Sequence, residues 1–153
     1  LLAILNSKLI AFWLMKKGKM QGNHYQVDKN PLLKLPLYKG QNRYISQISI
    51  IVDYIIETSL DMVEIRNKFE QIIDGVVYEL YFSKEVTAAD ANILCHVDNL
   101  PDIQPLIEKG QTEKALKTIE RVYKELSDPN HPVSIAMARM QEIEEVQIIE
   151  GKK

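Results

Sequence analysis

A basic segment at the start of the chain holds the residues whose types and spacing suit contact with an anion. Residues 1–44 carry eight basic side chains against one acid, Asp28, whereas residues 45–153 carry 11 basic groups against 20 acidic ones. Lysines at that density can neutralise nucleic-acid phosphates. A solvated lysine-rich surface that serves only solubility is the alternative, and it is the commoner case for a lysine cluster alone.

The residue types needed for catalysis or metal binding do not occur at suitable spacing. The chain has no phosphate-binding loop, no GxGxxG and no GxSxG, and its three histidines lie far apart. Cys95 and His96 are adjacent, so on a helix they point about 100° apart and cannot readily share a metal. We expect Cys95 to be a small buried hydrophobe and His131, before Pro132, to be a turn or capping residue. We therefore expect no catalytic residue and no metal ligand here.

Composition indicates a globular chain. It has 153 residues, of which 46% are hydrophobic and 26% charged, which is ordinary for one soluble domain and excludes disordered, collagen-like and disulfide-rich classes. One cysteine cannot form an internal disulfide, so a cytoplasmic location is expected. The longest apolar run, Leu1–Met15, is shorter than the ~20 residues that span a bilayer, and no membrane partner is expected. The chain opens with leucine inside an expected helix, which suggests a piece of a longer polypeptide.

Hydrophobic periodicity predicts a mainly α (α+β) fold. Apolar residues at steps of three and four predict a helix over Leu1–Lys17 and a long helix or a helical hairpin over residues 42–82. The capping-box pattern Thr58-x-x-Asp61 favours a break in the second. Between the two, alternation around His24–Val27 predicts one short β element near residues 23–28.

The rest of the chain is predicted to be helical and acidic. A second capping-box pattern, Thr87-x-x-Asp90, predicts a helix over 88–97. An amphipathic helix with a distinct apolar side is expected to begin at Thr112, and another helix over Ser134–Ile143. The apolar run Val146–Ile149 fits either a strand or a packed segment.

Four stretches carry a resemblance to a known family. The first joins Leu5-Asn6-Ser7-Lys8-Leu9, the loop Gly18-Lys19-Met20-Gln21-Gly22, the segment Tyr25-Gln26-Val27 and the exit Leu35-Pro36-Leu37. The others are Ile73–Phe82 (IDGVVYELYF), Asp128–Val133 (DPNHPV) and Val146–Gly151 (VQIIEG). In this order they resemble the C-terminal target-recognition region of bacterial adenine-specific DNA methyltransferases, in particular the TaqI-like specificity domain of type II restriction–modification enzymes.

The resemblance implies a division of the chain. Residues 1–41 would be the basic part of the target-recognition domain, 42–82 a helical spacer, and 83–153 an acidic helical segment. Asn30-Pro31-Leu32-Leu33 lacks the second proline and the aromatic residue of the family's catalytic Asn-Pro-Pro-Tyr motif, so methyl transfer is expected in a domain on the N-terminal side of Leu1. The β element would complete a sheet begun there.

The resemblance also implies partners and contacts. The partners would be double-stranded DNA and the upstream methyltransferase domain; S-adenosylmethionine would serve that domain, and a fused nuclease would add Mg²⁺, with no cofactor in this chain. Lysines would hold phosphates, while glutamine and asparagine side chains can both donate to and accept from the major-groove edge of adenine. The expected DNA-binding residues are Lys16, Lys17, Lys19, Gln21, Asn23, His24, Gln26, Lys29 and Lys34.

Two other interpretations stay open at this point. A non-catalytic helical protein–protein module would dock a partner on the acidic helices of residues 45–126, and an exposed apolar stripe on residues 112–126 would favour it. Peripheral membrane attachment would use the apolar residues of Leu1–Trp13 together with the lysines that follow. Phe12 and Trp13 lie in the apolar period of their helix, so we expect them to pack in a core.

Overall fold

The computed structural model describes residues 1–17, 19–21, 24–26, 33–35, 37–38, 42–58 and 61–153, and these are mainly helical. The N-terminal elements are α1 (Leu2–Leu5), α2 (Lys8–Lys17), β1 (Lys19–Gln21) and β2 (His24–Gln26). The helices that follow are α3 (Asn42–Glu57), α4 (Val63–Tyr81), α5 (Ser83–Ala88), α6 (Gln104–Glu108), α7 (Thr112–Leu126), α8 (Pro132–Met140) and α9 (Glu144–Ile149), with a 3-10 helix at Leu94–His96.

The helix α4 lies at the centre of the packing. Every residue from Ile72 to Glu79 is buried, and α1, α2, α3, α5, α7 and α8 contact this helix. The C-terminal half of α4 is therefore covered on all sides, and the exposed side chains of this helix, such as Gln71, lie before this half. At Gly75, an added Cβ would lie 2.5 Å from Ile93 Cδ1 and 2.9 Å from Met137 Sδ, so glycine lets neighbouring segments approach α4 closely.

The region 42–82 is a helical hairpin. The edge of the Tyr54 ring meets Phe69 with centroids 5.2 Å apart, and Arg66 near the start of α4 donates to the carbonyl of Thr58 at the end of α3. The break falls where the sequence predicts it, but the capping-box explanation is wrong. The Thr58 hydroxyl donates to Ile55 O at 2.7 Å and so caps the end of α3.

The prediction of one helix over Leu1–Lys17 is wrong, because Asn6 and Ser7 separate α1 from α2. The hydroxyl of Ser7 donates to Ile4 O at 2.7 Å and accepts from Ile10 N at 3.4 Å. Ser7 therefore satisfies one carbonyl at the end of α1 and one amide at the start of α2. A residue that ends one helix and caps the next has this pattern.

The prediction of a helix over 88–97 is also wrong. Asp90 has φ +50°, the amide of Ala91 donates to Val86 O, and the amide of Asp90 donates to Thr87 O. These two bonds form a Schellman motif, which closes a helix. The Thr87-x-x-Asp90 spacing therefore marks the end of α5, and a 3-10 helix at 94–96 is the helical structure that follows.

The predicted β element and the last two helices need revision. Lys19–Gln21 pairs antiparallel with His24–Gln26, so the β structure of the described residues is a two-stranded ladder that begins at residue 19, and not a single strand near residues 23–28. The helix predicted over Ser134–Ile143 runs instead from Pro132 to Met140. Of the two alternatives for Val146–Ile149, the packed segment is confirmed: these residues belong to α9, and Val146 is buried.

Candidate nucleic-acid interface

The end of α2 presents two of the nine expected DNA-binding residues. Lys16 and Lys17 occupy the last turn of α2 and are exposed, a position where the helix dipole favours cations. The Lys16 ammonium lies 5.3 Å from the centroid of the Phe12 ring. Phe12 and Trp13 are half-buried, so the core role expected of them holds only in part.

The β ladder brings four more of these residues into register directly after α2. Lys19 pairs with Gln26, and Gln21 with His24. Opposed residues and every second residue of a strand share one face of a ladder. Lys19, Gln21, His24 and Gln26 therefore belong to one face, and Met20 and Tyr25 to the other.

The remaining three expected residues are not brought to this ladder by the described structure. Lys34 is exposed, next to Leu33, whose exposed fraction is 72%. Asn23 and Lys29 lie outside the described residues, and so do Gly18, Gly22 and Pro31 of the predicted loops. The site as described consists of the last turn of α2 and the paired strands, and we call α2 with these strands the basic arm (residues 8–17, 19–21 and 24–26).

A buried carboxylate attaches the basic arm to the rest of the molecule. Asp74 Oδ1 accepts from the backbone N of Lys8 at 2.8 Å, and the Lys8 ammonium lies 3.2 Å from Glu150 Oε1 and 3.9 Å from Asp74 Oδ2. Burial raises the pKa of Asp74, against the opposing effect of Lys8. Burial also opposes ionisation of Glu150, but hydrogen bonds from Lys152 and Lys8 outweigh it and lower the pKa of that carboxyl.

Sequence reasoning did not single out Asp74 or Ser7 as residues that position the site. A usable signal was present, because Asp74 and Glu79 are the two carboxylates inside the apolar stretch 72–82. Acids in such a stretch are buried and need hydrogen-bond partners from elsewhere in the fold. The partner of Asp74 lies 66 positions away, which periodicity does not reveal.

Two residues considered for metal or nucleophilic chemistry, His131 and Cys95, have described side chains in other settings. His131 caps α8, since its Nδ1 accepts from Val133 N at 3.1 Å, which confirms the capping role predicted for it. Cys95 is exposed, so the prediction of a buried hydrophobe is wrong. Within the described ranges, no three His, Cys, Asp or Glu side chains are placed to hold a metal ion.

No protein-family model, curated protein or solved structure matches this chain. In the part of the chain that the structure describes, no helix combines the length and apolar character needed to cross a membrane.

Proposed function

We propose that this chain is a DNA target-recognition segment of a bacterial restriction–modification enzyme with adenine-specific methyltransferase activity. The observation that carries the proposal is the register of the β ladder, which assigns Lys19, Gln21, His24 and Gln26 to one face. Lys16 and Lys17 lie directly before that ladder, at the exposed end of α2. The sequence resemblance supports the same assignment.

A two-stranded β ladder has a width that suits the major groove of duplex DNA. The major groove of B-DNA admits a two-stranded β-ribbon, and amide side chains can pair with the edge of adenine there. Lysines at the foot of such a ribbon would contact phosphates and set its register on the duplex. In this proposal Gln21 and Gln26 read bases, while Lys16, Lys17 and Lys19 hold the backbone.

The acidic remainder of the chain limits where DNA can bind. Residues 45–153 carry 11 basic and 20 acidic groups, so phosphates are repelled from them and attracted to the basic arm. In the proposal these residues support the arm, and methyl transfer from S-adenosylmethionine belongs to a separate domain of the enzyme. A nuclease domain, where fused, would bring its own Mg²⁺.

The test is a charge-reversal series on the 153-residue chain. Lys16, Lys17 and Lys19 are changed together to Glu, and a matched control changes the exposed residues Lys84, Lys109 and Lys124 to Glu. Affinity for a fluorescent mixed-sequence duplex is measured by anisotropy. We expect the first variant to bind about 100-fold more weakly and the control to stay within about threefold of the unchanged chain. Equal losses for both variants, or no binding by the unchanged chain, would refute the proposal.

One observation favours the alternative of a protein–protein module, though on a different surface from the one expected. The apolar side of α7 is buried at Ala115, Ile119, Val122 and Leu126, so it offers no exposed stripe. A groove of about 520 Å³ instead lies between α1 and α3, next to the exposed side chains of Leu2 and Ile45. Salt-independent duplex binding together with loss of a protein partner on Ile45→Glu would favour this alternative.

A further inference from the structure

The central helix carries two equally buried carboxylates with different partners. Asp74 and Glu79 are each 9% exposed. Glu79 accepts from the backbone amides of Ile93 at 2.6 Å and Leu94 at 2.9 Å, both in the segment that follows α5. Asp74 instead accepts from Lys8 N, the first amide of α2. Of these two acids, only Asp74 reaches the basic arm.

The first turn of α2 needs hydrogen-bond acceptors for its backbone amides. The first amides of a helix have no carbonyl within the helix to bond. At the start of α2, the Lys8 amide donates to Asp74 Oδ1 and the Ile10 amide donates to Ser7 Oγ. A carboxylate at this end is also favoured by the helix dipole. Because a ten-residue helix is marginal on its own, its order and direction depend on such tertiary contacts.

The Lys8 side chain extends the attachment to a third element. Its ammonium lies 3.2 Å from Glu150 Oε1, and the other oxygen of Glu150 lies 3.0 Å from the ammonium of Lys152. The start of α2 is therefore tied both to the middle of α4 and to the residue that follows α9. Lys8 is half exposed, so the ammonium contacts contribute less than the amide contact.

We propose that Asp74 is a positioning residue of the nucleic-acid interface, because it fixes the direction in which α2 projects the lysines and the β ladder. This rests on the proposed function. At a rise of about 1.5 Å per residue, Lys17 lies roughly 14 Å along the helix axis from Lys8. A tilt of about 10° at Lys8 then moves the far end by about 2.4 Å, which is enough to break hydrogen bonds there.

Asp74→Ala is compared with the matched control Glu79→Ala and with the conservative variant Asp74→Asn. Both alanine variants remove a buried carboxylate of α4 that accepts from backbone amides elsewhere in the chain, but Glu79 has no bond to the arm among the described residues. Asparagine keeps an oxygen that can accept from Lys8 N. Duplex affinity is measured by anisotropy where circular dichroism shows each variant folded, and amide hydrogen exchange is followed over residues 8–17.

We expect Asp74→Ala to weaken duplex binding about tenfold, the equivalent of one lost hydrogen bond, and to speed exchange over residues 8–17. Asp74→Asn should restore most of both. Glu79→Ala should lower the melting temperature while duplex affinity and exchange in α2 stay unchanged. If the two alanine variants change affinity and α2 exchange equally, Asp74 has only a general structural role and the inference is overturned.

A second pair of variants keeps the test decisive if Asp74→Ala fails to fold. Lys8→Pro removes the donated N–H at the first helical position, where proline is well tolerated, and Lys8→Met removes the same charge but keeps the N–H. We expect the proline variant to bind duplex more weakly than the methionine variant and to exchange faster in α2. Equal behaviour would overturn the inference. A chain that binds no duplex at all refutes the proposed function, whereas α2 exchange still tests Asp74 separately.

Discussion

The basic arm and the helical body around α4 are built on different principles. The body is held by a continuous apolar cluster that includes Tyr54, Phe69 and Ile72, all completely buried. In α2, Ile10 is fully buried but is not a member of that cluster. The arm meets this cluster through the partly buried Leu9, and its start is held in addition by directed contacts, chiefly those of Ser7 and Asp74. Nonpolar burial therefore stabilises the body, while a few polar contacts orient the arm.

The largest expected effect tests where stability lies. Phe69→Ala should cost about 3–5 kcal/mol, because it removes a fully buried ring from the centre of the body. Urea unfolding followed by circular dichroism measures this loss. Ile10→Ala, the matched change in the arm, should cost less and should speed amide exchange in α2 without affecting α7. If Ile10→Ala costs as much as Phe69→Ala, the arm and the body share one core and the comparison fails.

A smaller effect tests the close packing around α4. Gly75→Ala gains helix propensity but places a methyl group 2.5 Å from Ile93 Cδ1 and 2.9 Å from Met137 Sδ. We expect a net loss of about 1–2 kcal/mol in the free energy of unfolding. Gln71→Ala, at an exposed position of the same helix, should change stability by less than about 0.5 kcal/mol. An unchanged or raised stability for Gly75→Ala would show that the side chains of Ile93 and Met137 move aside at little cost.

The ion cluster that joins the two regions predicts two opposite pH dependences. The raised pKa of Asp74 means that its ionisation costs stability as pH rises from the unfolded pKa through the folded one. The lowered pKa of Glu150 means that its ionised form stabilises the fold, and that this stability is lost as pH falls through the folded pKa.

Melting temperatures from acidic to neutral pH separate these two carboxylates. As pH rises, the melting temperature of Asp74→Asn should increase relative to that of the unchanged chain. The melting temperature of Glu150→Gln should decrease relative to it. Each difference should shrink toward zero once both carboxyls are protonated. Parallel curves for the two variants would contradict the assigned directions.

Surface charge on the body should have the smallest effect. Lys117 and Glu113 lie 2.7 Å apart on α7, with side chains 72% and 83% exposed. An exposed pair at this spacing contributes about 0.3–0.5 kcal/mol. A double-mutant cycle with alanine, read by thermal unfolding at low and high salt, measures it. A coupling above about 1 kcal/mol would contradict the small contribution expected of exposed ion pairs.

Local patterns predicted the body better than the arm. The start of α7 at Thr112 is confirmed, because an unbroken 3–4 period depends only on neighbouring residues. The break at residues 6–7 was missed because the apolar period continues across it, although the Ser7 hydroxyl that separates the two helices bonds residues only three positions away. Thr87 and Asp90 show a second cause of error. The spacing that can open a helix also fits the end of one, and the sign of φ at Asp90 distinguishes the two cases.

The candidate site was predicted by residue type but not by arrangement. The nine expected residues follow from charge, amide chemistry and resemblance, and these stay a prediction for DNA contact. The ladder partner of His24–Gln26 was missed, because Lys19–Gln21 is a three-residue strand too short to show an alternating pattern. Pairing gives the register that places Gln21 opposite His24, and pairing is a property of two segments together.

The salt dependence of duplex binding tests the central claim most directly. Each phosphate contact changes the slope of log K against log salt by about −0.9. We predict a slope of about −3 or steeper for the unchanged chain, flattened by about 3 when Lys16, Lys17 and Lys19 become Glu, and unaltered by the Lys84, Lys109 and Lys124 control. A slope near zero, or the same slope in both triple variants, would contradict the assignment of DNA binding to the basic arm.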